Sequence, residues 1–278
     1  MDSLLRLISN QTFSIEPAWG LSKLQEILML KELNTDMDAA LKSIKEESRS
    51  IEYYSTDGAL SSEIDGQIAK VSMSGVMTVE DGLCHYGMNN LDRTMRKLYS
   101  NNSIKGIILS VNSGGGYSTA GDVLYNTIAD KNKPVVVHAV YMASAALKGT
   151  LKANEIIAAS DSTEIGSIGT MMVMPKWYLE SAKQNDIELY STKSPEKNAA
   201  WRAIKDGNFE PYIKELTKND EVFMDIVKNN RNLKGDVEST LSGATFLAKD
   251  AKRRGLIDGI GSLDYAIKRL RSHISYNK

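Results

Sequence analysis

Residues 104–117, IKGIILSVNSGGGY, and 135–147, VVVHAVYMASAAL, decide the fold. Each is a nearly unbroken apolar run ending in small residues. A strand covered by helices on both faces reads this way, because neither face meets water. The first run breaks at Gly114-Gly115-Gly116, a turn that residues lacking Cβ make freely. The second breaks at Ser144, which opens a helix. Working outward, Ile64–Met73 reads as a strand and Thr119–Ala129 as a helix. Leu91, Met95 and Leu98 are spaced i, i+4, i+7, which predicts a helix over 88–100. Glu155–Ala159 is short and strand-like, and helices follow near 175–185, 210–230 and 245–254. A short apolar strand after Gly255 and a last helix over 263–272 close the pattern. Strands alternating with helices imply crossover units and an α/β fold.

Residues 1–60 read differently from 61–278. Leu21, Leu24, Ile27, Leu28, Leu30, Leu33, Met37, Leu41 and Ile44 recur at helical spacing with charges between them. This is an amphipathic pattern, expected as a helical N-terminal arm packed on its own core or on a neighbouring subunit. The chain is 42% hydrophobic and 25% charged, the balance of a folded domain. Its formal net charge of −1 gives no global field for nucleic acid or anionic lipid. One cysteine, Cys84, excludes an intrachain disulfide framework. The longest apolar stretch, Val135–Leu147, is too short to span a bilayer and contains His138 and Ser144. The expectation is therefore a soluble, cytoplasmic protein without a membrane span.

A serine at a strand-to-helix turn, with a glycine turn upstream, is what acyl transfer needs. The serine attacks, and bare backbone N–H groups receive the developing oxyanion. The same strand–glycine–helix turn can hold phosphate. Here the P-loop lysine is missing, since Tyr117-Ser118-Thr119 follows Gly116, and Thr119 breaks the dinucleotide pattern. A structural turn with no chemistry is the remaining alternative. Histidine is the usual base, yet His138 reads as a core residue, His85 as a surface residue, and His273 lies near the C-terminus. Lysine can replace histidine if a dry site lowers its pKa from about 10.4 to near 7. Composition alone does not choose among the lysines. No metal or other cofactor is expected.

Four motifs in order carry a family resemblance. VNSGGGYSTAGDVLYNTI (111–128) resembles the oxyanion turn and following helix of the ClpP and signal peptide peptidase A families, with Gly114 where proline is usual. MASAA (142–146) resembles their nucleophile turn, and TEIGSIGT (163–170) is similar to the Thr-x-x-Gly-Ser-Ile-Gly signature of signal peptide peptidase A. TFLAKDAKRRGLIDGIGSLDYAI (245–267) resembles its closing helix–strand–helix. The resemblance implies serine peptidase family S49: a ClpP/crotonase-like α/β fold and a Ser–Lys dyad. Ser144 would be the nucleophile. Lys197 would be the base with Lys193 as alternative, both in LYSTKSPEKNAAW (189–201), which departs from the family's Ser-Gly-x-x-Lys. The amides of Gly116 and Ala145 would form the oxyanion hole, and Ser167 would orient the lysine. Backbone near Tyr117 and near Gly169 and Thr170 would pair with an extended polypeptide, and a homo-oligomer is expected. Ala18-Trp19-Gly20-Leu21 and IAKVSMSGVM (68–77) look like phage-encoded members, which cut scaffold and capsid proteins inside the prohead. Peptide degradation in the cytoplasm, a catalytically silent scaffold protein on the same fold and an acyl-CoA enzyme of the crotonase type are the rival readings.

Overall fold

The computed structural model describes residues 13–15, 39, 42, 45–46, 49–55, 60–61, 67–82 and 86–276. Most of the amphipathic pattern, with Cys84 and His85, lies outside them. In chain order the strands and helices begin with β1 (Phe13–Ile15), β2 (Ile51–Tyr54), β3 (Leu60–Ser61), β4 (Ile68–Ser74) and α1 (Met88–Ser100). Next come β5 (Gly106–Ser113), β6 (Gly115–Tyr117), α2 (Ser118–Ala129), β7 (Val135–Ala143), α3 (Ala145–Thr150), β8 (Glu155–Ala158) and β9 (Glu164–Gly166). Then follow α4 (Lys176–Asn185), α5 (Ala199–Lys205), α6 (Glu210–Asn230), α7 (Val237–Thr240), β10 (Thr245–Leu247), α8 (Ala248–Arg253), β11 (Gly259–Ile260) and α9 (Leu263–Tyr276).

The two apolar runs become β5 and β7, parallel neighbours in a nine-stranded sheet ordered β10-β9-β7-β5-β4-β2-β3, with β8 and β11 branching from β7. Their side chains alternate between two cores, as period-2 geometry demands. Ile107, Leu109, Val111, Val135, Val137 and Ala139 pack with Leu91 and Met95 of α1 and Leu124 and Ile128 of α2. Ile108 and Val136 face the opposite way, joining Ile68 and Ile157 under Ala266, Ile267 and Leu270 of α9. Both faces of the central strands are thus covered, which is why the sequence shows runs rather than alternation.

The closing motif has a structural explanation. Gly255 has φ +82°, and a Cβ there would meet the Asn232 carbonyl oxygen at 2.1 Å. Asp258 accepts from the Ile156 amide (2.8 Å) and binds the Arg231 guanidinium through both oxygens (2.8 and 3.1 Å). Glu155, at the start of β8, holds α9 through Arg269 (2.8 Å) and the His273 ring (3.0 Å).

Several boundaries differ from the sequence reading. Residues 245–247 form a strand rather than the first turn of a helix, because Thr245–Leu247 pair antiparallel with β9. The glycine segment is largely extended: β5 runs to Ser113 and β6 resumes at Gly115. β2 lies within the stretch read as arm, yet it pairs with β4 along Ile51–Tyr54, so the sheet begins before residue 60. The helix Ala199–Lys205 was not expected.

Leu270 is fully buried under the sheet, so Leu270→Ala should cost about 2–5 kcal/mol of unfolding free energy, read from urea midpoints. Acid should weaken the fold in two windows. Burial lowers the His138 pKa below its ordinary 6.5, so stability held above that value is lost as pH falls through the lowered one. Arg269, opposed by partial burial and helped by His273, holds the Glu155 carboxyl below its ordinary 4.5, placing a second loss below that pH. Arg269→Met should flatten the second window in midpoints taken between pH 5 and pH 3, and an unchanged profile would refute the assignment.

Candidate active site

β7 delivers Ser144 by changing partners along one edge. Val136–Ala139 pair with β8, and Met142–Ala143 pair with β9. On the other edge Val111 faces Ala139 but Asn112 faces Tyr141, leaving Val140 as a bulge residue. Val140 is 48% exposed in a strand that is otherwise mostly buried. Past the bulge the chain turns beside β9, and the Ser144 amide donates to the Gly166 carbonyl (2.8 Å). Ser144 has φ 56° and ψ −122° and is 1% exposed. For a residue with a Cβ that backbone shape costs about 1–3 kcal/mol, and it persists only where the surroundings impose it. The Ser144 carbonyl then accepts the Lys148 amide (3.0 Å), opening α3. Ala145 is the first residue of α3, so its amide has no acceptor within the helix.

Ser167 follows Gly166 directly. Its own φ is 52°, and its amide donates to the Ala244 carbonyl (2.8 Å). Two serines at positive φ therefore adjoin one residue of β9, each fixed by main-chain pairing.

The glycine side is pinned by a serine that sequence reading passed over. The buried Ser113 hydroxyl donates to the Gly75 carbonyl (2.6 Å) and accepts the Gly115 amide (3.1 Å). Gly115 takes φ +94°. Met77 pairs with the next turn of chain: its amide donates to the Gly115 carbonyl (2.9 Å), and its carbonyl accepts the Tyr117 amide (2.8 Å). A Cβ on Gly116 would lie 2.1 Å from the Met77 oxygen, so this close approach requires glycine. α3 packs against both β6 and α2. Gly121 of α2 admits Ala145, whose carbonyl oxygen would be 3.0 Å from an added Cβ. Lys148, 3% exposed, pairs with Asp122 (2.6 Å) and donates to the Ser118 hydroxyl (3.2 Å), bracing α3 against α2. A charged residue in an apolar helix, four places after the serine, was the signal available for that brace.

The fold thus brings Gly116, Tyr117, Ser144, Ala145 and Ser167 into one region. Thr170 lies beyond Ser167 and Gly169, with its amide and hydroxyl donating to Asp220 of α6. The two described histidines take other roles. His138 Nε2 meets the Gly261 carbonyl (3.3 Å), the core role that the sequence predicts, and His273 meets Glu155.

The candidate lysines sit elsewhere. Lys193 and Lys197 are exposed in the segment between α4 and α5. Among the described residues, no hydrogen bond or ion pair joins either amine to Ser144. Lys197 lines a surface recess of about 380 Å³ with Glu188, Tyr190, Ser191 and Ser194, and none of Gly116, Ser144, Ala145 or Ser167 lines it. Glu188 orders that segment: it accepts from Tyr190 (2.6 Å) and Trp201 (2.8 Å) and pairs with Lys205 (2.6 Å). Lys205 first, then the two aromatic donors, pull its pKa down to about 2.

Residues 127–276 match Peptidase family S49. "Protease 4" of Haemophilus influenzae is 28% identical over 215 residues, covering 74% of this chain and 34% of that protein. A Methanocaldococcus jannaschii protein named as a protease is 30% identical over 207 residues, covering 70% of this chain and 63% of that one. The chain therefore spans about a third of the first relative and under two thirds of the second. Among solved structures, a ClpP1 point mutant from Listeria monocytogenes aligns with a TM-score of 0.47 and 18% identity, covering 71% of this chain and 94% of that one. The architecture is of the α/β class expected from the motifs, with the parallel strands β4, β5, β7 and β8 joined through helices.

The strain at the turn is measurable. Ser144→Gly should be more stable than Ser144→Ala by about 1–2 kcal/mol, because glycine adopts positive φ without a Cβ clash. Equal unfolding midpoints for the two variants would show that the turn is unstrained.

Proposed function

The chain belongs to peptidase family S49, and from that premise we propose that it is a serine endopeptidase acting on extended polypeptide through a Ser144–Lys197 dyad. The carrying observation is Ser144 itself: a buried serine in strained backbone, fixed at a strand end beside the glycine turn. In the proposed reaction Ser144 Oγ attacks the scissile carbonyl carbon and its proton passes to the neutral Lys197 amine. The carbonyl oxygen takes the negative charge and is held by the Gly116 and Ala145 amides. As the C–N bond breaks, the lysine returns the proton to the departing amine. Water, deprotonated by the same lysine, then attacks the acyl carbon, and as the C–Oγ bond breaks the lysine returns the proton to Ser144 Oγ. Ser167 orients the lysine amine, and the substrate lies extended between Tyr117 and the Gly169–Thr170 backbone.

We propose further that the base reaches Ser144 from a neighbouring copy. The segment that carries Lys197 turns large apolar side chains to solvent, with Ile187 91% and Leu189 92% exposed. Val173, Trp177, Phe209, Ile213 and Val222 add exposed apolar side chains on neighbouring segments of the chain. Such a surface favours assembly, and a homo-oligomer would carry each lysine onto a nucleophile that its own chain does not serve.

The substrate assignment rests on the phage-like sequence features: scaffold and capsid proteins cut during head maturation, in the host cytoplasm or the assembling prohead. The second reading, degradation of peptides in the manner of signal peptide peptidase A, is supported by the same four motifs. Among the described residues, no helix is long and apolar enough to cross a membrane.

Purified protein should degrade unfolded casein, and Ser144→Ala and Lys197→Ala should each lose at least 100-fold in kcat while Lys193→Ala keeps most activity. Mixing inactive Ser144→Ala with inactive Lys197→Ala should restore turnover if the dyad is shared between copies. Full activity in Lys197→Ala with loss in Lys193→Ala would transfer the role to Lys193. Mass spectrometry of scaffold and major capsid proteins co-expressed with the chain or with Ser144→Ala should show Ser144-dependent cuts, and intact proteins would favour the second reading.

A further inference from the structure

We propose that the segment Phe13–Ile15 is a built-in occupant of the substrate edge, pairing with β6 over Gly116 so that an incoming polypeptide must displace it. The proposal rests on the functional reading above for what that edge binds.

β1 runs antiparallel to β6 with Phe13 opposite Tyr117, Ser14 opposite Gly116 and Ile15 opposite Gly115. The other edge of β6 is already taken, because the Gly115 carbonyl and the Tyr117 amide both bond Met77. Backbone groups of successive strand residues point to opposite edges. The amide and carbonyl of Gly116 therefore face β1, which makes Ser14 and Gly116 a hydrogen-bonding pair. Gly116 is also the residue assigned to the oxyanion hole. Its single N–H cannot donate fully to Ser14 and to an acyl oxygen at once.

The sequence suits a short, displaceable strand. Phe13-Ser14-Ile15 alternates apolar and polar residues with good strand formers. Pro17 follows two places on and has no N–H to offer a ladder. A three-residue strand makes few bonds, each contributing about 0.5–1.5 kcal/mol net. Its covalent tether compensates, because a linked segment competes at an effective concentration in the millimolar range. Weak substrates are excluded, and long extended chains that fill the whole groove displace it.

The test keeps the chain at full length. Ser14→Pro removes the N–H that faces the Gly116 carbonyl and is poorly tolerated in a paired strand. Ser14→Ala leaves the backbone unchanged and serves as the control. Amide hydrogen exchange over residues 115–117 should quicken about tenfold in Ser14→Pro and stay at the parent rate in Ser14→Ala. With casein as substrate, KM should fall about tenfold in Ser14→Pro with kcat held. In the Ser144→Ala background, the synthetic peptide NQTFSIEP, copied from residues 10–17, should bind about tenfold more tightly once Ser14→Pro is added. That binding arm reads the edge whether or not Ser144 is the nucleophile, so loss of all turnover would count against the catalytic reading alone. Unchanged exchange in Ser14→Pro would overturn the proposal. Faster exchange with equal peptide affinity would also overturn it, by showing that the edge does not take peptide.

Discussion

One edge of β7 has to serve two partners, and the rest of the site follows from that division. β8 takes the first half and β9 the last two residues, with a bulge at Val140 between them. The extra residue shifts the register against β5 between Val111 and Asn112, just before the strand passes to β9. Beyond it, the Ser144 amide closes onto β9, β9 is fixed in turn by β10, and α3 is pressed onto α2 and β6. These restraints impose a backbone shape that serine does not choose. A local cost of about 1–3 kcal/mol is considerable for a domain whose total stability is of the order of 5–15 kcal/mol. The two-sided core beneath, with its buried strands, is what can bear it.

The site is built unevenly. Ser144 and the amides of Gly116 and Ala145 that we propose as its oxyanion hole sit on elements whose side chains are mostly buried. The segment between α4 and α5 is ordered mainly by its own contacts, with Glu188 tying Tyr190, Trp201 and Lys205, and Arg202 stacked over Tyr190 at 4.8 Å. Its apolar side chains, Ile187 and Leu189, point outward. The rigid setting of Ser144 and the self-ordered carrier of Lys197 are different physical objects, and the proposed dyad can draw them from different copies.

Much of this was legible in the sequence. Unbroken apolar runs identified β5 and β7, since burial on both faces leaves no polar alternation. The spacing of Leu91, Met95 and Leu98 placed α1 closely, and the helices expected near 175–185 and 210–230 match α4 and α6. The serine between a buried strand and a helix, with glycines upstream, pointed to the candidate site. The misses share a cause: each depends on pairing between residues distant in the chain. β2 and β10 are strands because β4 and β9 are there to receive them. Ser113 looked like a turn residue, and only the folded chain brings the Gly75 carbonyl to its hydroxyl. In the Lys148–Asp122 brace the buried lysine left a local sign, a charge in an apolar helix, but its partner lies on another helix. The lysine assignment fared differently, because it came from family spacing and the surroundings of positions 193 and 197 belong to an exposed segment.

The placement of the aromatic residues has an optical consequence. Of three tryptophans in the chain, Trp19 lies outside the described residues, and Trp177 and Trp201 belong to α4 and α5, on either side of Tyr178. The central sheet and its covering helices, as described, hold none. Emission from Trp177, which is 53% exposed, and from Trp201 therefore reports on α4 and α5 rather than on the sheet. Quenching or a blue shift on concentration would register another surface arriving there, whereas melting of the strands would have to be followed by circular dichroism.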